Sequence, residues 1–313
     1  MKIVRLADSS AKPALVHDVA PRPEPGQDEV LIRVHAAAVT PAELLWYPTS
    51  HTKSGVKRLR AVPGHEFSGV VASPGPTAGS LEPGLEVFGM NDWFTDGAMA
   101  EYCVAPACDV APKPPRLSHA EAASVPISAL AAWQGLLVRA RLQSGERVLV
   151  HGGAGAVGAY AVQFARLHGA RVAATASAAD AAFVRELGAE QVIDYRASRF
   201  EQCVSDIDVV FDTVGGETLG RSWSVLKPQG RMITIASAEA NAIDPRSKEA
   251  FFIVEPSQKQ LTLIANLLET GELRAFVGAV VPLSQAPEAF AGAVPRQHRG
   301  KVVVSVADSN ERS

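Results

Sequence analysis

The chain has 313 residues, of which 47% are hydrophobic and 20% are charged, and its formal net charge is −3. This composition is that of an ordinary globular protein of about two domains, and it argues against a nucleic-acid partner, which would require a basic face. The sequence shows no apolar run long enough to cross a bilayer, no apolar leader at its N-terminus and only three cysteines. It therefore predicts a cytoplasmic protein with no membrane contact and no disulfide framework.

The first part of the chain, residues 1–117, is predicted to be rich in β-strands. Short apolar strands are predicted at 30–34, 69–72 and 98–105, and prolines and glycines punctuate the intervals between them. Short strands at close spacing with turns between them are typical of a compact barrel-like β domain. A proline-rich stretch at 112–115 then marks a linker.

From Ser118 onwards the pattern changes to alternating helices and strands. Ser118 and Glu121 form a capping-box pattern ahead of an apolar helix, and residues 128–140 predict a second helix. Alternation of this kind indicates βαβ units and a parallel sheet. The predicted strands are 148–150, 172–176, 192–195, 208–214 and 231–237, and a further apolar run at 251–254 is a candidate last strand.

Between the first two of these strands lies a glycine-rich turn with the spacing G-x-G-x-x-G, formed by Gly153, Gly155 and Gly158. In this pattern the first glycine permits a tight turn, the second lets the backbone approach a pyrophosphate, and the third lets the helix pack on the strand. Unpaired N–H groups at the helix N-terminus favour a bound anion. The turn predicts a dinucleotide site, with a plain βα turn as the alternative, and its residues are Gly153, Ala154, Gly155, Ala156 and Val157.

After Glu255 the pattern shifts again, to an amphipathic helix at 258–269 followed by strands at 275–282 and 301–306. The last strand resembles those of the β-rich region more than those of the βαβ region. We therefore expect three segments: a β domain at 1–117, a cofactor domain at 118–255, and a return to the β domain at 256–313.

Several motifs, in this order along the chain, resemble those of one known family. They are PGHEFSG at 63–69, GAMAEY at 97–102, the glycine turn, FDTVGG at 211–216 and GKVV at 300–303. Together they resemble the medium-chain dehydrogenase/reductase superfamily, in its zinc-less quinone-oxidoreductase (zeta-crystallin-like) branch. The resemblance implies an α/β fold with a GroES-like β-barrel catalytic domain plus a Rossmann doubly wound parallel-sheet cofactor domain. It also implies an active site in the cleft between them and a homodimer formed through the Rossmann sheet edge.

Zinc-bearing members of this superfamily look similar, so the metal ligands need a direct check. His65 matches the histidine ligand of the family's Gly-His-Glu element, but no cysteine stands at 38–41 or near 125–126, where the partner ligands belong. A catalytic zinc takes about three protein ligands and a structural zinc four. We therefore interpret His65, Cys103 and Cys108 as structural and expect no metal. Without a Lewis acid to polarise an alcohol or ketone, an electron-poor acceptor is favoured.

The segment after the second strand of the cofactor domain bears on the choice between NADPH and NADH. Ser177 is small and neutral where NAD sites carry an acid, which leaves room for a 2′-phosphate. The alternative is that Ser177 and Asp180 simply form a helix-capping pair. The resemblance adds Tyr195 as a phosphate contact, while the lysine common after the serine is missing at 178–182. We predict NADPH.

The nicotinamide contacts are carried over from the resemblance, and their alternative role is that of ordinary core residues at strand ends. They are Val214, Ile235, Ala236, Phe252, Ile253 and Val254.

The catalytic candidates lie in the β domain. Thr40 stands where quinone reductases often have asparagine and retains a hydroxyl donor. Tyr47 is the candidate proton donor, because a phenol can both donate and accept a proton. Glu43, a water molecule and a simple pocket-lining role for Tyr47 are the alternatives. Lys301 is expected either to reach the cofactor phosphates or to be a solvated strand residue.

The sequence thus predicts a zinc-independent NADPH-dependent oxidoreductase that transfers hydride to a small-molecule electrophile, a quinone or an α,β-unsaturated carbonyl. One alternative is a non-catalytic NADPH-binding protein of crystallin-like or regulatory type. A further alternative is a zinc-type alcohol dehydrogenase.

Overall fold

The structure is a computed structural model that describes residues 1–7, 13–79, 81–236 and 245–306. The chain forms two compact units, Met1–Ile127 with Pro256–Ser313, and Ser128–Glu255. In the described residues the strands are β1 (Lys2–Leu6), β2 (Leu15–Val19), β3 (Glu29–Ala38), β4 (Glu66–Pro74), β5 (Glu86–Met90), β6 (Tyr102–Pro106), β7 (Val110–Pro112), β8 (Arg147–His151), β9 (Arg171–Ala176), β10 (Gln191–Asp194), β11 (Ile207–Asp212), β12 (Leu226–Thr234), β13 (Val277–Pro282) and β14 (Lys301–Ser305).

The helices of the same residues are mostly short. The α-helices are α1 (Tyr47–Ser50), α2 (His119–Ala123), α3 (Pro126–Trp133), α4 (Ala156–Leu167), α5 (Ala181–Leu187), α6 (Gly216–Ser222), α7 (Pro245–Ala250), α8 (Gln258–Thr270) and α9 (Ala286–Phe290). Single 3-10 turns lie at Pro41–Leu45, Ala107–Asp109, Ala178–Asp180, Phe200–Gln202, Trp223–Val225 and Leu283–Gln285, and a π-helical stretch covers Gln134–Arg139.

The first unit is built on a mainly antiparallel sheet with the order β13-β14-β3-β4-β5-β7, in which β6 also pairs with β3, while β1 and β2 form a separate hairpin. Strand β3 is the centre of this sheet because its ten residues pair with β14, β4 and β6. Fully buried Phe67, Met99 and Val304 belong to its core.

The pairing register brings three chain segments to one end of this sheet. Ala38 at the end of β3 is opposite Val303, and Ala37 is opposite Phe67. Thr40, just beyond β3, therefore lies beside the first residue of β14, Lys301. Glu66, the first residue of β4, lies at the same end.

The second unit contains a parallel sheet with the order β10-β9-β8-β11-β12. This is the order of a doubly wound sheet, in which ligands bind at the carboxyl ends of the strands where the winding direction reverses, here between β8 and β11. The strands are continuous apolar runs such as 148–150 and 209–211, fully buried as a parallel sheet requires. The predicted Rossmann-type sheet is confirmed.

Several predicted elements differ in extent. Residues 98–101 are not strand, although Ala98 and Met99 are buried, because their N–H groups bond to the carbonyls of Gly64 and Pro63 in a loop. The run at 251–254 forms only a single bridge, from Phe251 to Thr234. The predicted helix 128–140 is α-helical only to Trp133. Ser237, the predicted end of the strand 231–237, lies outside the described residues.

The predicted division at 117/118 also needs correction. Residues 118–127 lie in the first unit because α2 packs on β3, β4, β5 and β14. The capping box that begins α2 is present: the Ser118 hydroxyl accepts the Glu121 N–H, and the Glu121 carboxylate accepts the Ser118 N–H. No helix in the described residues is both long enough and apolar enough to cross a membrane.

Candidate functional site

The glycine turn joins β8 to α4 at the carboxyl end of the parallel sheet. Gly155 is the N-cap of α4 and offers no capping side chain, so the N–H groups of the first helical turn, Ala156 to Gly158, have no cap. Such N–H groups carry the positive end of the helix dipole. The turn is therefore suited to an anion such as a pyrophosphate, as the sequence predicts.

Glycine is required at several positions of this turn, each for a different steric reason. A Cβ at Gly158 would lie 2.1 Å from the Gly152 carbonyl oxygen, which is how closely α4 approaches the turn. At Gly153 a Cβ would lie 2.9 Å from the Cβ of Ala174 on β9. The positive φ of the turn, +74°, belongs to Gly152 rather than to Gly153, to which the sequence assigns the tight turn. The residue before the motif thus provides the left-handed conformation, a role that the spacing alone does not show.

A chain of buried hydrogen bonds holds the backbone of this turn at Gly152. The Thr175 hydroxyl accepts the Gly152 N–H at 3.1 Å and lies 3.2 Å from His151 Nδ1. His151 Nε2 lies 2.9 Å from the Ser222 hydroxyl, which itself donates to the Thr218 carbonyl. Because the Ser222 hydroxyl hydrogen is used by the Thr218 carbonyl, Ser222 accepts a hydrogen bond from His151 Nε2–H. Burial, and to a lesser extent the charge of Arg221, lower the pKa of His151 to about 4.

The neighbouring turn, after β11, is held by a buried carboxylate. Asp212 is fully buried and accepts the Thr234 hydroxyl at 2.8 Å and the N–H groups of Val214 and Gly215 at 3.1 and 3.0 Å. Burial raises its pKa, and these hydrogen bonds oppose the rise. The Thr213 hydroxyl donates to the His151 carbonyl at 2.7 Å, so the turns after β8 and β11 are tied together.

The residues proposed for the adenosine phosphate follow β9 and β10, which are adjacent strands. Ser177 is buried and its hydroxyl donates to the Asp180 carboxylate at 2.6 Å. It does not cap the following turn through its side chain, so the capping box that was the alternative role of Ser177 and Asp180 is not formed. The Tyr195 N–H bonds to the Ala176 carbonyl, which places exposed Tyr195 beside Ser177. The Arg196 guanidinium lies 5.5 Å from the Tyr195 ring centre and brings a cation to this corner, which sequence reasoning missed.

The residues proposed for the nicotinamide follow β11 and β12 or form the segment 252–254. Val214 and Ile253 are exposed, Ile235 and Ala236 are half-buried, and Phe252 and Val254 are buried. The Arg139 guanidinium covers the Phe252 ring, and its central carbon lies 4.7 Å from the centre of that ring. Ile253, rather than Phe252 or Val254, is therefore the side chain of this segment that is open to a ligand.

A buried glutamine fixes this segment. The Gln134 side chain donates to the Glu255 carbonyl at 2.7 Å and accepts the Glu255 N–H at 3.0 Å. Gln134 begins the π-helical stretch, and a Cβ on its neighbour Gly135 would lie 2.2 Å from the Phe211 ring. π-Helical turns often occur at functional sites. No sequence signal pointed to this clamp, because π-helices have no distinctive residue pattern.

In the first unit, the Gly-His-Glu element carries a set of buried charges. His65 Nδ1 lies 3.1 Å from the fully buried Glu43 carboxylate, and His65 Nε2 lies 3.3 Å from the Thr95 carbonyl. Glu43 also accepts the Gly64 N–H at 2.6 Å. Both imidazole nitrogens are thus engaged by protein oxygens.

A zinc ion does not fit these residues. Among residues 1–7, 13–79, 81–236 and 245–306, no three His, Cys, Asp or Glu side chains are grouped to hold a metal ion. Cys103 is buried, and burial raises the pKa of its thiol to about 12, while Cys108 is exposed. These contacts favour the structural interpretation of His65 and Cys103.

Beside His65, Glu66 and Lys301 form a buried ion pair. The Lys301 ammonium contacts one Glu66 carboxylate oxygen, and the other oxygen accepts the Ile127 N–H at 3.0 Å. Burial raises the pKa of Glu66, and Lys301 opposes that rise. Lys301 also lies 3.4 Å from the Thr40 hydroxyl. The expectation that Lys301 is a solvated strand residue is wrong, because it is only 8% exposed.

Tyr47 begins the short helix α1 and is largely exposed. Its ring stacks on His51 with centres 4.5 Å apart. Trp46 packs edge-on against Trp93, which also contacts His65. The structure thus gathers these rings in the first unit.

Comparison with known proteins gives concordant results. The model of the alcohol dehydrogenase GroES-like domain matches residues 26–115, and the model of the zinc-binding dehydrogenase domain matches residues 187–304. A probable zinc-binding oxidoreductase, mitochondrial, of Arthroderma benhamiae is 32% identical and aligns over 91% of both chains. The 2-methylene-furan-3-one reductase of Solanum lycopersicum is 33% identical over 90% of this chain and 73% of its own.

A solved structure extends the likeness to the whole fold. The quinone oxidoreductase from Coxiella burnetii has a TM-score of 0.86 and 29% identity, over 98% of this chain and 99% of that one. The GroES-like unit and the Rossmann-type parallel sheet are therefore confirmed. The protein is an NAD(P)H oxidoreductase that belongs to the medium-chain dehydrogenase/reductase superfamily, in its quinone-oxidoreductase branch.

Proposed function

We propose that the protein is a zinc-independent reductase that uses NADPH to reduce quinones or α,β-unsaturated carbonyl compounds. The observation that carries this proposal is the engagement of His65 by Glu43 and Thr95, with Glu66 paired to Lys301. Because these side chains are engaged by other protein groups, they do not form a ligand set for zinc. In this proposal no Lewis acid therefore polarises an alcohol or a simple ketone. Electron-poor acceptors need only correct placement against the cofactor. The names of two relatives support the same acceptor classes: the Solanum lycopersicum protein is a 2-methylene-furan-3-one reductase, and the Coxiella burnetii protein is a quinone oxidoreductase.

The cofactor-binding residues in this proposal lie in the second unit. Because the N-cap Gly155 has no capping side chain, the N–H groups of 156–158 can bind a pyrophosphate, and Gly158 lets α4 approach the turn closely. Ser177 and Tyr195 would contact the 2′-phosphate, with Arg196 supplying the positive charge that is missing at 178–182. When bound, the nicotinamide supplies the hydride. The residues around it would be Val214, Ile235, Ala236 and the segment Phe252, Ile253 and Val254, in which Ile253 has the exposed side chain and Phe252 and Val254 are buried.

The catalytic residues in the proposal lie in the first unit. Thr40 would donate a hydrogen bond to the acceptor, and Tyr47 would protonate it or line its pocket. We further propose a homodimer formed through β12, which with β10 is one of the two edge strands of the parallel sheet among the described strands. Light scattering of the purified protein would test the dimer.

The test of this function is NADPH oxidation against an ortho-quinone, a para-quinone, a linear enal and a cyclic enone, with NADH assayed in parallel. Turnover that is faster with NADPH supports the proposal and ranks the two acceptor classes. Tight NADPH binding without turnover would instead indicate a non-catalytic NADPH-binding protein. A preference for NADH would contradict the roles given to Ser177 and Arg196.

Metal analysis of the same preparation tests zinc independence. We expect less than stoichiometric zinc and no loss of turnover after dialysis against a chelator. One zinc per chain, with activity that a chelator removes, would establish the alcohol-dehydrogenase alternative.

A further inference from the structure

The end of the sheet where β3, β4 and β14 meet holds a cation in an unusual position. Lys301 is 8% exposed, and its ammonium group contacts the fully buried Glu66 carboxylate and the Thr40 hydroxyl. Thr40 is half-buried, and its hydroxyl lies 3.4 Å from the Lys301 ammonium nitrogen. The hydroxyl is not used to cap the following turn Pro41–Leu45.

A buried ion pair by itself contributes little to the stability of a protein. Removing both charges from water costs more than their attraction returns unless the geometry is excellent, and apolar replacements are often neutral or stabilising. Lys301 has three N–H donors, and a single carboxylate does not use them all. The placement of one donor 3.4 Å from Thr40 suggests a second role for the ammonium group.

We infer that Lys301 is the proton source for enone reduction and that Thr40 relays the proton. This inference rests on the proposed function and names its proton donor, in place of Tyr47. Tyr47 is exposed and stacked on His51, and within residues 1–7, 13–79, 81–236 and 245–306 no protein group hydrogen-bonds its hydroxyl to resupply a proton. Thr40 has such a partner in Lys301. The 3.4 Å separation is long, as catalytic hydrogen bonds often are before substrate binds.

The chemical step balances as follows. Addition of hydride to the β-carbon of the enone forms a C–H bond and moves the C=C electron pair onto the carbonyl oxygen, giving an enolate. The Thr40 O–H bond breaks as its proton passes to the enolate oxygen, and Lys301 returns a proton to Thr40. The neutral lysine then regains a proton from solvent, and the enol becomes the saturated ketone. The net reaction consumes one NADPH and one proton and yields NADP⁺.

The experiment compares Lys301→Arg and Lys301→Met with the wild type. Arginine keeps the positive charge and can bind Glu66 with two hydrogen bonds, but it does not release a proton. Arginine should therefore preserve activity if Lys301 acts only as a structural cation, and should not preserve it if Lys301 donates a proton. The measurements are kcat with a cyclic enone, kcat with a para-quinone, the Kd of NADPH by fluorescence, and Tm. Lys259→Arg, an exposed lysine on α8, is the matched control.

We expect Lys301→Arg to keep the Tm and the NADPH Kd but to lose about 100-fold in enone kcat, the range typical of a general acid. The ratio of enone kcat to quinone kcat should fall with it, because the hydroquinone anion is stable enough to be protonated by water. Thr40→Val should reproduce the loss, and Thr40→Ser should retain most of the activity.

Other results overturn the inference. Recovery of enone kcat by Lys301→Arg but not by Lys301→Met would show that only the charge matters. Loss in Tyr47→Phe, with both Lys301 variants active, would identify Tyr47 as the donor. Should Lys301→Arg be unstable, the Thr40→Val and Thr40→Ser pair decides the matter. Wild-type protein that reduces quinones but no enone refutes this inference alone, whereas wild-type protein inactive on every acceptor refutes the proposed function.

Discussion

Replacing Gly158 by alanine tests the glycine turn as a cofactor site. The added methyl would lie 2.1 Å from the Gly152 carbonyl oxygen, 2.8 Å from its carbonyl carbon and 3.0 Å from the Gly153 Cα. All three atoms are backbone, so no side-chain rotation relieves the overlap. Since ordinary contacts begin near 3.4 Å, α4 and the turn must separate by more than about 1 Å. The N–H groups at 156–158 would then lose their alignment on the pyrophosphate.

The substitution should affect stability, NADPH affinity and turnover. Overpacking of this kind typically lowers the free energy of unfolding by about 1–3 kcal/mol, and the Kd of NADPH should rise at least about tenfold. A displacement of about 1 Å at a reacting group can cost roughly 100-fold in turnover. Fluorescence titration with NADPH gives the Kd, and thermal unfolding gives the stability change.

Gly220→Ala on α6 is the control. A Cβ at Gly220 would meet nothing within 4 Å, so alanine should raise the free energy of unfolding by about 0.5–1 kcal/mol and leave the Kd of NADPH unchanged. The reasoning is refuted if Gly158→Ala binds NADPH as tightly as the wild type while Gly220→Ala behaves as expected.

Three further predictions concern the second unit. The pKa of His151 is about 4 in the folded state and near 6.5 in the unfolded chain, so the free energy of unfolding should fall by up to about 3 kcal/mol as the pH drops from 6.5 to 4. Denaturant unfolding of His151→Asn should show a weaker dependence of this free energy on pH. Equal pH dependence in the variant and the wild type would contradict the assignment. Gln134→Glu places a carboxylate oxygen against the Glu255 carbonyl, so we expect a loss of about 1–3 kcal/mol in urea unfolding, and an unchanged midpoint would show that the clamp contributes nothing. Arg196→Ala should raise the KM for NADPH about tenfold or more and leave that for NADH unaltered, whereas equal effects on both would remove Arg196 from the 2′-phosphate site.

The fold of the second unit was predictable because buried parallel strands are continuous apolar runs. The runs at 148–150 and 209–211 satisfy this, and the turns between elements contain glycine where the backbone requires it. The same rule failed at 98–101, because Ala98 and Met99 are buried in a loop that makes only an isolated bridge, from Ala100 to Ile3, and no continuous strand ladder. Apolar residues report that a segment is buried, and its hydrogen-bond partners decide whether it is a strand.

The candidate site was predictable only where one local segment forms it. The glycine turn is such a segment. The Glu66–Lys301 pair joins residues 235 positions apart, and no local pattern shows that the first residue of a late strand lies at the end of an early one. Gln134 and Arg196 were missed for a related reason, since their roles depend on which loops the sheet order brings together.

The pairing of β14 with β3 has a consequence for folding during synthesis. The first unit needs residues near both ends of the chain, so its central sheet cannot close until β14 has left the ribosome. The second unit is a continuous stretch and can fold earlier, in keeping with the tendency of domains to fold as units during translation. Meanwhile the end of β3 that later receives β14, residues 36–38, remains unpaired on that edge, and non-local pairings of this kind form slowly. The nascent chain therefore passes through a stage in which an unpaired strand edge is available to chaperones or to aggregation.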